Sequence, residues 1–349
     1  MENIRILEII LLLLVLVIAY FKMSSNSTSI IPFNNQGSSS NANSNKTYTQ
    51  NATLEPAKIS HGTTLTPQGF IGSNFTSFFT FAKTAGNTVS WAGSWLQLNS
   101  SLSTPQVVEQ LSSTYGYTPV IEAQFFTQST GELLLPLNAS NEEAYVGYAR
   151  NFAEQYKPKY LAFGIEVNLL YEKSPANFTK FVSLFNTTYD AVKSVSPNTT
   201  VFTIFQYEHM LGLKGGLFGG ANGSSEWNLL NYFNKSDIFG FTTYPGLVYG
   251  NVSKMPSDYY SQISMHTRKR IAFTEIGWQS GNIQGWSNNE STQAAFIDRF
   301  YKLSKPVNKT MELWSFMFDQ NVTAPFNTMG LFYINGTAKL AWNAWISNN

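Results

Sequence analysis

From Ile59 onward the chain alternates short apolar runs with longer stretches in which apolar residues recur every three or four positions. That is the signature of strands alternating with amphipathic helices, and each strand then reaches a parallel neighbour through a helical crossover. Eight such units can be traced. The first strand falls within residues 62–71, followed by a helix over 73–85; the second covers 88–91, and its helix opens with Thr104 as cap and Pro105 at the first helical position. The third strand, 118–125, precedes a helix over 140–156 that starts with a capping-box pattern from Ser140 to Glu143. The fourth runs from Tyr160 to Glu166, with its helix over 175–195. Strands over 201–206, 238–243, 271–275 and 312–318 complete the set, with helices over 226–233, 256–266, 291–303 and 338–346. Eight units in one domain, 59–349, predict an α/β fold of the (β/α)8 TIM-barrel type, whose functional groups gather at the C-terminal ends of the strands.

Two segments of different character precede the barrel. Residues 6–21 are apolar apart from Glu8 and no small-residue cleavage pattern follows, so 1–23 reads as an uncleaved transmembrane signal-anchor; cleavage would instead release a secreted chain. Residues 24–58 are rich in Ser, Asn and Thr and carry almost no apolar period, the composition of a disordered stalk. Asn-x-Ser/Thr sequons recur from Asn26 through Asn74, Asn138, Asn198, Asn251 and Asn289 to Asn335, a density that suits a glycosylated body outside the cell. The absence of cysteine removes disulfides and thiol chemistry. A net charge of +1 gives no reason to expect nucleic acid as partner, while 15% aromatic residues among neutral polar ones suit a glycan.

Two stretches carry the candidate chemistry. In IAFTEIGWQS, 271–280, three apolar residues and Thr274 lead to a single acid, Glu275; in YLAFGIEVN, 160–168, an apolar run ends on Glu166. An acid at the end of one strand more often caps the next helix. Two of them, each after a basic turn and an apolar run, supply what glycoside hydrolysis needs: one carboxyl to protonate the leaving oxygen and one to attack or to activate water. Glu122 on the third strand reads equally as a substrate contact or as a hydrogen-bonded strand acid. Glu208 and His209 follow the fifth strand on the same rim. With three histidines and no His-x-x-His spacing, neither a metal site nor a cofactor is expected.

These segments resemble retaining glycoside hydrolases of clan A, especially the β-1,3-glucanase and endo-β-1,4-galactanase families. IAFTEIGWQS is similar to their nucleophile strand. DIFGFTTYP, 237–245, resembles the sixth strand ending in a Tyr that touches the nucleophile, here Tyr244. ELWSFMFDQ, 312–320, and MGLFYINGTAKLAW, 329–342, resemble the eighth strand and the closing stretch. The resemblance implies Glu275 as nucleophile and Glu166 as acid/base in double displacement on a β-linked glycan, with Trp278 and Trp314 as sugar contacts. It departs at Ile165, where those families carry an Asn that binds the sugar 2-hydroxyl. Asn168, two positions beyond Glu166 and hence on the same face of an extended strand, is the expected substitute. The reading is a divergent, membrane-tethered glycosidase acting outside the cell; the alternative is a catalytically silent carbohydrate-binding barrel.

Overall fold

A computed structural model describes residues 58–100 and 103–348. The expected signal-anchor and all but the last residue of the stalk lie outside these, and among the described residues no helix is long and apolar enough to cross a membrane. The body is an eight-stranded, closed, parallel barrel made of β1 (Ser60–Thr64), β2 (Thr88–Ser94), β3 (Thr118–Gln124), β4 (Tyr160–Phe163), β5 (Thr200–Gln206), β6 (Phe239–Thr243), β7 (Ile271–Ile276) and β8 (Lys309–Trp314). Each strand pairs with its neighbours in sequence, and β1 closes the ring on β8 from Ser60 opposite Met311 to Thr63 opposite Trp314.

Alternation along the strands separates two cores. Val120, Ala162, Phe202, Ile204, Ala272 and Leu313 fill the barrel interior, whereas Ile121, Phe163, Phe205 and Phe273 face the surrounding helices. Aromatic rings dominate the outer layer. Trp95, for example, packs on Phe125, Tyr145 and Phe163 and donates its indole N–H to the Tyr145 carbonyl.

The sequence pattern and the fold differ mostly at element ends. β8 begins three residues before the expected start, because Lys309 is buried there and pairs with Glu312, a polar opening that reads as a turn. The helix Thr104–Tyr115 has Ser103, not Thr104, at its cap position, and Ala139–Tyr156 is capped by Asn138, whose Oδ1 accepts from Asn141 N at 3.0 Å, so Ser140 is already helical. Residues 226–233 form a 3-10 helix, Trp227–Phe233, and 256–266 are turns that become helical only at Ile263–His266. Sequon residues Asn74, Asn138, Asn198, Asn251, Asn289 and Asn335 are all exposed.

Candidate active site

Both candidate carboxyls depend on a break in regular structure. On β7, Ala272 faces the interior and Phe273 the helices, so strict alternation would turn Glu275 outward with Phe273. A bulge intervenes: against β6, Phe241 pairs with Phe273 but Thr242 pairs with Glu275, leaving Thr274 as the extra residue. That one-residue shift aims Glu275 into the barrel mouth. β4 stops at Phe163, three residues short of Glu166. Gly164 turns the chain with φ 78°, where a methyl would lie 2.5 Å from both Phe181 and Val167. Glu166 itself adopts a left-handed conformation, φ 58° and ψ 44°, ahead of a short helix, Val167–Lys173. A non-glycine residue there carries a penalty of roughly 1–2 kcal/mol, the kind of strain that collects at functional sites.

Glu166 and Glu275 line the same cavity of about 260 Å³ at the C-terminal end of the barrel. Thr242 Oγ1 donates to Glu166 Oε1 at 2.6 Å, and the Tyr244 hydroxyl donates a short hydrogen bond to Glu275 Oε2. Burial, reinforced by the charge of Glu275, raises the Glu166 pKa to about 8 against the opposing Thr242 bond. Burial raises Glu275 as well, to about 7, and the Tyr244 bond limits the rise. The proton affinity of both is therefore high, with Glu166 the stronger holder.

One cavity wall is apolar and aromatic, with Phe70, Trp91, Phe316 and Phe326. Trp91 fits because Gly93 follows it; a methyl there would lie 2.3 Å from Trp91 Cζ2. Another wall is charged. His209 Nδ1 lies 2.8 Å from Glu172 Oε1, and Lys214 Nζ bridges Glu172 at 3.0 Å and Glu226 at 2.8 Å. Burial opposes charge on Glu172, yet His209 and Lys214 outweigh it and hold that carboxyl below its ordinary range. The lining thus combines aromatic rings, which can stack on an apolar surface, with charged and hydrogen-bonding groups.

Of the residues expected to touch substrate, Tyr244 lines the cavity, but four do not. Trp278 is fully buried, stacked on Phe296 with its N–H on Asn288 Oδ1, and Trp314 packs on Phe296 and Trp345 with its N–H on the Met329 carbonyl. Both are core residues. Asn168 sits on the short helix rather than on an extended strand, and its amide is spent on the Gln206 backbone, accepting from N at 2.8 Å and donating to O at 3.0 Å. Glu122 is wholly buried beneath the cavity, where burial and the Glu275 charge push its pKa far up. Sequence reasoning missed the Val167–Lys173 helix, and with it Glu172; the charged ending Tyr171-Glu172-Lys173 was the available signal.

No family model matches the sequence, and no curated protein matches it. Solved structures do match in fold. A family 39 glycoside hydrolase from Bacteroides cellulosilyticus WH2 has 17% identity and a TM-score of 0.60, over 82% of this chain and 62% of that one. An exo-β-1,4-mannosidase from Opitutaceae bacterium strain TAV5 has 14% identity and a TM-score of 0.62, over 83% of this chain and 58% of that one. The GH53 catalytic domain of Ignisphaera aggregans has 15% identity and a TM-score of 0.59, over 84% of this chain and 97% of that one. The chain thus spans about three fifths of the length of the first two. At these identities the likeness is one of fold alone: an eight-stranded (β/α)8 barrel shared with structures named as glycoside hydrolases.

Proposed function

We propose that the protein is a retaining glycoside hydrolase that cleaves a β-linked glycan. The observation that carries this reading is the pair Glu166 and Glu275 in one cavity, each held by a hydroxyl donor from β6 or the residue after it. Glu275 attacks the anomeric carbon and the C–O bond to the leaving group breaks as Glu166 delivers its proton to that oxygen. Glu166, now a carboxylate, takes a proton from water, and the resulting hydroxide displaces Glu275 to release the sugar. Tyr244 fixes Glu275 for attack. The structural neighbours, several of them named as glycosidases, support the class of reaction. The apolar run of 6–21 and the exposed sequons support a further part of the proposal, a barrel held outside the cell by an N-terminal anchor.

A second reading, a sugar-binding barrel without turnover, draws on Ile165, which lines the cavity where the resemblance implies an amide, and on Asn168 being already engaged. Reducing-end release from β-glucans, galactans, mannans and xylans separates the two. Turnover on one of them that falls by about 10²–10⁴ in Glu166→Gln and further in Glu275→Gln supports hydrolysis; binding without release by the wild type supports the silent barrel.

A further inference from the structure

Glu208 follows β5 on a four-residue helix, Tyr207–Met210, and is fully buried without lining the cavity. Its carboxyl accepts hydrogen bonds from Thr243 Oγ1 and Tyr259 OH on Oε1, both at 2.8 Å, and from Gln206 Nε2 at 2.7 Å and Tyr244 N at 3.1 Å on Oε2, and among the described residues it pairs with no Lys, Arg or His. Burial raises its pKa above the ordinary carboxyl value, and these hydrogen bonds, which favour the charged form, oppose the rise. Of its partners, Thr243 ends β6 and Tyr244 follows it, and Tyr244 is the residue whose hydroxyl holds Glu275.

We propose that Glu208 is a positioning residue for the reaction, fixing the backbone of Tyr244 so that its hydroxyl stays on Glu275. This rests on the glycosidase reading of the site. When ionised, Glu208 adds a smaller contribution to those of burial and the Glu275 charge in raising the Glu166 pKa. Its titratable surroundings are Tyr207 on its own helix, Tyr244, Tyr249, Tyr259 and Tyr260 from the segment after β6, and Glu166. Burial together with neighbouring charge holds each of these tyrosines above its ordinary range. A glutamine at this place offers one acceptor oxygen and an NH2, so the donors on one side of the group would meet N–H instead of a lone pair.

The test compares wild type, Glu208→Gln, Tyr244→Phe and their double variant on the substrate found by the glycan panel. Glu208→Gln should lower kcat by roughly tenfold to a hundredfold with KM nearly unchanged. Its alkaline limb should move to lower pH, because a charge that holds the Glu166 proton is gone. The double variant should be little worse than Tyr244→Phe alone, since one residue works through the other. If Glu208→Gln does not fold, Tyr259→Phe removes a single donor and should give the same kind of kcat loss on a smaller scale. A carboxyl NMR titration of Glu166 in the full chain needs no turnover and should follow the same shift. Wild-type kcat and pH profile in both variants, or fully multiplicative losses in the double, would overturn the proposal. Were the wild type to hydrolyse nothing, the glycosidase reading would fail by itself, and an unmoved Glu166 titration would then sink the role of Glu208 as well.

Discussion

Glu166 and Glu275 face one cavity with different partners, the asymmetry on which the proposed division into acid and nucleophile rests. Glu166 has a threonine hydroxyl and the charge of Glu275 beside it; Glu275 has the tyrosine hydroxyl. If Glu275 must be ionised and Glu166 protonated, kcat/KM should rise with pH through about 7 and fall through about 8. Tyr244→Phe removes a bond that lowers the Glu275 pKa, so the ascending limb should move to higher pH. A profile with that limb in place would detach Tyr244 from Glu275. Glu122 offers a stability test with a definite sign. Its folded pKa lies well above the ordinary carboxyl value, so its contribution is fully present below that value and is lost as pH rises toward the folded one. Glu122→Gln should therefore gain Tm relative to wild type between about pH 5 and 8, and a difference that does not change with pH would contradict the burial argument. At this scale the two acids were legible because each ends an apolar run, whereas the roles of Trp278, Trp314 and Asn168 were not. A tryptophan after a strand has the same spelling whether it meets a sugar or Phe296.

Elements set what alternation alone could not. The register of β7 is invisible in IAFTEI, since nothing in those letters says that Thr274 is the extra residue. The short Val167–Lys173 helix was hidden in the same way, by a left-handed Glu166 that only the fold enforces. The loop after β8 is held by a buried ion pair: Lys339 Nζ lies 2.6 Å from Asp319 Oδ1 and donates to Ser280 Oγ at 3.0 Å and to the Thr328 carbonyl at 3.1 Å. Asp319 Oδ1 also accepts from Gly330 N at 2.9 Å. That loop carries Val322 and Phe326 into the cavity wall. Lys339→Met strands a largely buried carboxylate and should cost about 3–5 kcal/mol in chemical denaturation. A loss under about 1 kcal/mol would mean the pair is not what fixes the loop.

At the level of the whole molecule the eight strands and their order were readable from apolar periodicity, because a parallel barrel repeats one pattern of strand and crossover, whereas the crossovers after β5 and β6 carry a 3-10 helix and turns where amphipathic helices were expected. Closure then brings β4 and β7, more than a hundred residues apart in sequence, to one mouth. Retention and inversion differ in whether a carboxylate or a water reaches the anomeric carbon first, and the first-formed product keeps a record of it. Anomeric proton NMR during hydrolysis of the best substrate of the glycan panel reads that record before mutarotation erases it. The β-anomer should appear first and the α-anomer grow in later; an α-anomer first would contradict double displacement through Glu275.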